Sequence, residues 1–597
     1  MKREEFDDKY KWDLSYLCKD DEDFENRFPS IEEKAKLVDN YKDCYFKTAE
    51  ETLEFFNFEY RTQNLIADLW LYAVSKCDED TTNIKNKEMF SKIEKLYQNF
   101  QNKADSIENR IANLDMETIK EYINNPILKD YSNLIERLTR FKNHELTYET
   151  QKIVDKFSDG FTYEDIAYDL RNEIMNFGMI TDENGKTCKL EDKAYRKYAS
   201  SNNRSVRKEA FEKLLNEYEK YQKTLSDLYS SHVSVNIAKS ELKNYNSPLE
   251  AKLIYDEVDP SVYTTLVDAV NDNLELTNKF YEVKKEMLGL DELHMYDLLA
   301  PFNVKLNNNY EYEEGLELIY KALQPLGSKY LKELKDYINR KRVDVCPNDG
   351  KLAASHCRYF GKRDPLISMN YYNTINDVGI LSHELGHAMH NCFSNKNNEY
   401  FDAGHSGFVA EIPSKTNELL FYKYIVNNSN NIDEKIFSLN LLLNNMQTSL
   451  IRQTLFADFE KKIYDLKMNG EILTSEKMCD LYYELNKKYY GHSVVVDDLV
   501  RYEWERIPHF YYNFYVYTYG IGISAANEIS NKLLSNKRYN RDYLKFISSG
   551  HSDTPVNELK LAKIDVTNKK YINNMFKAFN NLSNELEETY KEYKKTK

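Results

Sequence analysis

The chain has 597 residues, 41% of them hydrophobic, and a formal net charge of −16. That length exceeds what one compact core can hold and calls for two or more lobes or domains. The negative balance excludes sequence-independent nucleic-acid binding, because phosphates would be repelled and the short pairs Lys487-Lys488 and Lys569-Lys570 read as solvated faces.

In chain order, charged and apolar residues alternate at three- and four-residue spacing over residues 20–175, 190–340 and 430–597, which predicts helices. Between the first two stretches, Asn184-Gly185 flanked by short runs at residues 179–188 predicts a β-hairpin. It marks the border between an N-terminal helical region, 1–195, and the remainder, 196–597. Residues 345–350 open an irregular, extended stretch in which residues 365–371 read as a strand. Such a strand, at a sheet edge, would bond an extended peptide through its main chain; an ordinary sheet strand is the equal alternative. Residues 507–527 carry no charge and match a membrane span in length, but five tyrosines, Pro508, His509 and two asparagines would lack partners in hydrocarbon. A helix there sets Tyr512, Tyr515 and Tyr519 on one face. The tail from Asn580 is a charged helical pattern that reads as a solvated outer face. No membrane partner is expected. Cys18, Cys44, Cys77, Cys188, Cys346, Cys357, Cys392 and Cys479 are scattered without metal-type spacing and read as reduced thiols, and residues 1–8 lack the apolar core of a signal peptide, so the cytoplasm is the expected location.

The sequence His383-Glu384-Leu385-Gly386-His387 carries chemistry. Thr374 with Asp377 three positions on is a helix start, and Val378, Leu381, Leu385, Ala388 and Met389 continue it at helical spacing. Four residues apart on one helix face, His383 and His387 can place two imidazole nitrogens on one zinc ion, with Glu384 beside the ion as general base toward a water whose pKa zinc lowers. Gly386 costs this helix about 1 kcal/mol relative to Ala and permits close approach of another element. A metzincin would need Gly at 390 and His at 393, where this chain has His390 and Phe393. His390 lies about 10 Å along the axis from His383, too far to share the ion, and reads as a supporting or solvated residue. A downstream glutamate is then needed, and Glu411 opens a second helical pattern running through Leu419, Leu420 and Tyr424. Two His, one Glu and a water form the open, catalytic kind of zinc shell. Glu418, seven residues beyond, is a candidate to orient a ligand histidine.

These residues resemble the thimet oligopeptidase and oligoendopeptidase F family of zinc metallopeptidases, the oligoendopeptidase F branch in particular. The resemblance extends to Tyr10-Lys11-Trp12-Asp13-Leu14-Ser15, Ile367-Ser368-Met369-Asn370-Tyr371, the aromatic run from Pro508 to Tyr517, and Ser549-Gly550-His551-Ser552-Asp553-Thr554-Pro555. It implies a mainly α, elongated, two-lobed enzyme with a deep substrate channel and a small β element beside the zinc helix, its catalytic domain spanning 196–597. It further implies one Zn2+ per chain held by His383, His387 and Glu411, with Glu384 as base. His509, Tyr512 and Tyr519 then stabilise the oxyanion, with Tyr515 a close competitor; an amphipathic core helix is the other reading of that segment. One departure is the loop Asp349-Gly350-Lys351-Leu352-Ala353-Ala354, where relatives usually read Gly-Lys-Arg-x-Gly-Ala and the second glycine is missing here.

The implied function is a zinc-dependent endopeptidase that hydrolyses internal bonds of short unfolded oligopeptides by attack of zinc-activated water. The alternatives are an end-trimming, dipeptidyl carboxypeptidase-like zinc peptidase of the same architecture and a non-catalytic helical scaffold that binds peptides. Oligopeptides are the expected partners, and the sequence does not set an oligomeric state.

Overall fold

The structure, a computed structural model, describes residues 2–144, 146, 148–158, 160–306 and 309–596. The fold is mainly α; among the described residues the strands form only a two-stranded and a three-stranded sheet. The residues group into two compact units, each drawn from three stretches of chain.

The first unit comprises Met1–Glu145, Asn308–Phe421 and Ile529–Ile564. Its N-terminal part is a helix layer of Asp21–Lys36, Ala49–Glu79 and Ile84–Ala112, capped by Asp20, Thr48 and Asn83, whose side chains accept the backbone N–H groups that each first turn leaves over. Phe24, Phe28, Ile31 and Ala35 recur at four- and three-residue spacing, so one face of the first helix is apolar and packs into the same core as Phe55, Phe56, Ile66 and Leu69 of the second. Tyr131 lies stacked between Phe56, at 5.0 Å, and Phe401, at 4.7 Å, which carries this core up to the chain ahead of Glu411.

The small β element of this unit is a sheet of three strands in the order β3-β5-β4: β3 is Val343–Asp344, β4 is His356–Arg358 and β5 is Leu366–Ser368. β5 pairs parallel with β3, Val343 opposite Ile367, and antiparallel with β4, Cys357 opposite Ile367. The strand expected at residues 365–371 therefore exists, but it is central and wholly buried, not an edge. Its run of apolar residues without alternation is the pattern of a strand covered on both faces. The outer positions fall to β3 and β4. The loop leading into β4 is fastened by Lys351, whose buried ammonium donates to Asp344 Oδ1 at 2.5 Å and to the carbonyls of Met369 at 2.7 Å and Cys346 at 3.0 Å.

The second unit comprises Leu146–Asn307, Tyr422–Glu528 and Asp565–Lys597. The expected hairpin is present as β1, Met179–Thr181, and β2, Thr187–Lys189, joined through Gly185 at φ 79°. Helices Arg204–Leu242, Gln453–Met468 and Ser475–Tyr490 hold a core rich in buried tyrosine, in which Tyr263 donates to the Ala457 carbonyl at 2.7 Å and Tyr482 to Glu503 at 2.9 Å. The last helix, Lys570–Thr596, departs from the outer-face reading of the tail, since Ser583, Leu586, Thr589 and Tyr593 form a buried stripe along it. The charges that dominate residues 580–596 hid a narrow apolar face. No described helix is long and apolar enough to cross a membrane.

Lys351→Met removes the donor that four oxygens share and leaves the fully buried Asp344 carboxylate with Arg3 as its one cationic partner, beside the Cys346 N–H. Loss of about 3 kcal/mol of stability is expected, read by urea denaturation of the variant beside the parent.

Candidate metal centre and aromatic cluster

The motif helix spans Ile375–Asn397 and starts where the sequence says it should. Thr374 Oγ1 accepts from the Asp377 N–H at 3.1 Å, and the Asp377 carboxylate accepts in return from the Thr374 N–H at 3.0 Å, a closed capping box. Two turns on, His383 and His387 share a face. Helix Glu411–Asn428 begins opposite them, and its first residue completes a group of three: one donor atom each from His383, His387 and Glu411 lie within 4.8 Å of one another. Glu411 Oε2 is 3.5 Å from His383 Nε2 and 3.6 Å from His387 Nε2.

The close approach depends on the residue between the histidines. A Cβ placed on Gly386 would lie 2.5 Å from the Cα of Ser414, 2.6 Å from the Pro413 carbonyl and 2.8 Å from the Ser414 nitrogen. These are backbone atoms and cannot turn aside, so only glycine lets the two segments meet. The corner ahead of Glu411 is fixed from elsewhere in the unit. Arg137 donates to Asp402 at 2.8 Å and to the His551 carbonyl at 2.7 Å, and the His551 N–H donates to the Asp402 carbonyl at 2.9 Å. Gly550, at φ 62°, sits so close to that carbonyl that a side chain would overlap it, which gives Ser549-Gly550-His551 a structural task.

Two imidazole nitrogens and a carboxylate oxygen are the donor set of an open zinc shell. The neighbours fit that use. His383 Nδ1 lies 3.0 Å from Glu418 Oε2, which turns Nε2 toward Glu411, and Lys415 donates to the same Glu418 oxygen at 3.0 Å. Burial works against the Glu418 charge, but Lys415 and His383 outweigh it and hold its carboxyl at about 2. Ser414 Oγ donates to Glu411 Oε2 at 3.0 Å, a contact that the i, i+3 spacing of Glu411 and Ser414 offered and the sequence reading passed over. Glu384, between the histidines in sequence, is 6% exposed. Burial raises its carboxyl pKa, with the Glu411 charge adding to the rise and His383 opposing it. His390 is not solvated: it is buried and stacks on His405 with ring centroids 4.2 Å apart and planes 11° from parallel. His405 carried no sequence signal, because its partner is fifteen positions away on another element.

The remaining expected site residues lie in the second unit, and there the single-helix reading of residues 507–527 is overturned. Pro508–Tyr512 forms a tight 3-10 turn, Asn513 and Phe514 take left-handed φ values of 47° and 55°, and the helix proper is Tyr517–Ser535. Left-handed backbone costs about 1–2 kcal/mol for a residue with a Cβ, so no propensity rule places Phe there. The break has a spatial result. Along a continuous helix Tyr519 would sit about 15 Å from His509; here their ring centroids are 6.0 Å apart, with Tyr512 at 5.6 Å and Tyr515 at 6.4 Å from the same imidazole. All three tyrosines thus gather around His509, including Tyr515, and Tyr515 meets Tyr519 edge-on at 5.4 Å. Burial lowers the His509 pKa.

Two substitutions test the metal centre. Gly386→Ala is expected to cost about 1–3 kcal/mol of stability and to weaken metal binding by forcing Pro413 and Ser414 away, read by thermal unfolding and by competition with a chromogenic chelator. Glu418→Gln removes the carboxylate behind His383 and is expected to weaken metal affinity about 10–100-fold with little change in fold, read by the same competition.

Comparison with known proteins agrees with the geometry. The model of peptidase family M3 matches residues 197–578, and the model described as Oligopeptidase F matches residues 110–177. Oligopeptidase PepF of Bacillus subtilis is 31% identical over 580 residues, covering 97% of this chain and 87% of that protein. An oligoendopeptidase F homolog of Borreliella burgdorferi is 32% identical over 587 residues, covering 97% and 98%. Among solved structures, oligoendopeptidase-F from Enterococcus faecium superposes with a TM-score of 0.73 at 29% identity, covering 96% of this chain and 99% of that one. With a family model over more than half its length and relatives of this similarity end to end, the chain belongs to peptidase family M3, in its oligoendopeptidase F group, and is a metallopeptidase.

Proposed function

We propose that the protein is a zinc endopeptidase that cuts internal bonds of short, unfolded oligopeptides, with His383, His387 and Glu411 holding one zinc ion. The observation that carries this reading is the convergence of those three donors beside a buried glutamate. When bound, zinc would polarise the scissile carbonyl and make a water molecule acidic enough to attack at neutral pH. The chain's own groups do the rest. Glu384, its pKa raised by burial, takes the proton from the attacking water and hands it to the leaving amine nitrogen. Glu418 and Lys415 keep the His383 ring in one tautomer. From the family resemblance we assign His509, Tyr512 and Tyr519 to the developing oxyanion, with Tyr515 beside them. A histidine that burial keeps neutral and a set of phenols are donors that suit this role without adding a fixed charge.

Substrate is held in this proposal by an outer strand, β4. β4 pairs with β5 on one side among the described residues, and an extended peptide would add to its other side through main-chain hydrogen bonds, giving affinity with little sequence preference. The edge role assigned to residues 365–371 from the sequence passes to residues 356–358. A catalytic part from about residue 196 onward, preceded by the helical region 1–195, is retained as the proposed division. A cytoplasmic location is proposed from the eight cysteines, all of them free thiols.

Glu384→Gln, compared with the parent on an internally quenched peptide acetylated and amidated at its ends, tests the reading. Both proteins are expected to carry about one zinc per chain, with kcat lower by about 10²–10⁴-fold in the variant. Equal turnover would falsify the base assignment. A parent that cleaves only peptides with free ends would mark an end-trimming enzyme, and one that binds the peptide without cleaving it would mark a scaffold.

A further inference from the structure

The left-handed turn at Asn513 and Phe514 is held by two helices of the second unit, each offering a pair of side chains four residues apart. From Arg204–Leu242 come His232 and Asn236; from Gln453–Met468 come Glu460 and Tyr464. Asn236 and Asn513 form a reciprocal amide pair: Asn236 Nδ2 donates to Asn513 Oδ1 at 2.9 Å, and Asn513 Nδ2 donates to Asn236 Oδ1 at 3.2 Å. The Tyr464 hydroxyl donates to the same Asn513 oxygen at 3.1 Å, and His232 Nε2 lies 3.1 Å from it. The next residue is pinned through its backbone, the Phe514 N–H donating to Glu460 Oε1 at 2.7 Å. The Phe514 ring is fully buried against Tyr464, at 4.8 Å.

Two consecutive left-handed residues with side chains persist only where the surroundings fix them, and a turn of this shape without a clamp would use glycine. Here the clamp spans the break between the 3-10 turn that carries His509 and Tyr512 and the segment that carries Tyr515 and Tyr519. Turn shape therefore sets how the four rings meet. We propose that Asn236, paired with Asn513, is a positioning residue of the enzyme: its amide holds the left-handed turn that folds Tyr515 and Tyr519 back onto His509. The inference rests on the oxyanion role assigned above to His509 and its tyrosines. Asn236 itself touches neither substrate nor any proposed metal ligand. Burial pushes the Glu460 carboxyl up to about 8, so at neutral pH it is largely a neutral acceptor for the Phe514 N–H and adds no charge to the clamp.

The test is a double-mutant cycle on the zinc-loaded full chain, with His509→Ala and Asn236→Ala singly and together. His509→Ala alone is expected to lower kcat about 10²–10³-fold. Asn236→Ala is expected to lower kcat about 10–100-fold with KM changed less than about threefold, because misplacement of donors is felt in the transition state. In the His509→Ala background the same change is expected to cost less than about threefold, since it acts through a group already gone. A full, additive loss in both backgrounds, or no loss in either, overturns the proposal. If His509→Ala itself leaves kcat unchanged, the oxyanion assignment falls and the positioning role falls with it; a loss with His509→Ala but none with Asn236→Ala removes the positioning role alone. Amide hydrogen exchange on the metal-free protein gives a readout apart from turnover. Asn236→Ala should speed exchange over residues 508–519 and leave residues 375–397 at parental rates, and unchanged exchange over 508–519 refutes the clamp. Where Asn236→Ala does not fold, the isosteric Asn236→Asp, which keeps the acceptor and removes the donor, carries the same comparisons with the same expected and refuting results.

Discussion

There is no room for a methyl group where the motif helix crosses the chain at Pro413 and Ser414. That one contact sets how near a glutamate on one element comes to two histidines on another, and the proposed metal centre depends on it. Helix packing ordinarily leaves 8–10 Å between axes, filled by side chains. Removing the side chain at residue 386 lets the first residue of the next helix come to within 3.5 Å of a histidine ring nitrogen. The helix accepts a residue poor in helical propensity at its centre in return for this approach.

Around that contact the unit is built to keep polar groups from drifting. Ser414 and Lys415 lie one turn beyond Glu411 along the second helix and Glu418 one turn further, and each bonds either a proposed ligand or its support. A second polar system, Lys351 with Asp344, fastens the loop beside the three-stranded sheet. In both places a charge is buried with its partners supplied, which is the condition under which such groups specify one arrangement instead of destabilising it. The aromatic cluster of the second unit follows a different rule: its geometry comes from backbone forced into an uncommon region and held there by amides.

Features that depend on spacing along one helix were legible in the sequence. His383 and His387 at i, i+4, the capping box at Thr374 and the alignment of Glu418 with Glu411 all follow from helical periodicity, and each has its counterpart in the structure; that no other residue fits at 386 is set by Pro413 and Ser414. The hairpin at Asn184-Gly185 was legible for a similar reason, since its turn carries Gly185 at positive φ. What could not be read were arrangements set by partners distant in sequence. Whether residues 366–368 lie at the centre or the edge of a sheet depends on β3 and β4, which approach from opposite sides. The break at Asn513 depends on residues 232, 236, 460 and 464, and the spacing of Tyr512, Tyr515 and Tyr519 suggests the uninterrupted helix that the structure lacks. His390 found its partner in His405 by stacking, an interaction that leaves no periodic trace.

The corner ahead of Glu411 is tied by Arg137 from the early part of the chain and by His551 from near its end, contacts that span 414 residues between those two alone. During synthesis on the ribosome, a chain that has emerged through residue 411 already possesses both histidines and the glutamate, yet lacks the strand of backbone that braces them. The brace of the proposed centre would form only once residue 551 has emerged. Long-range closure of this kind slows folding.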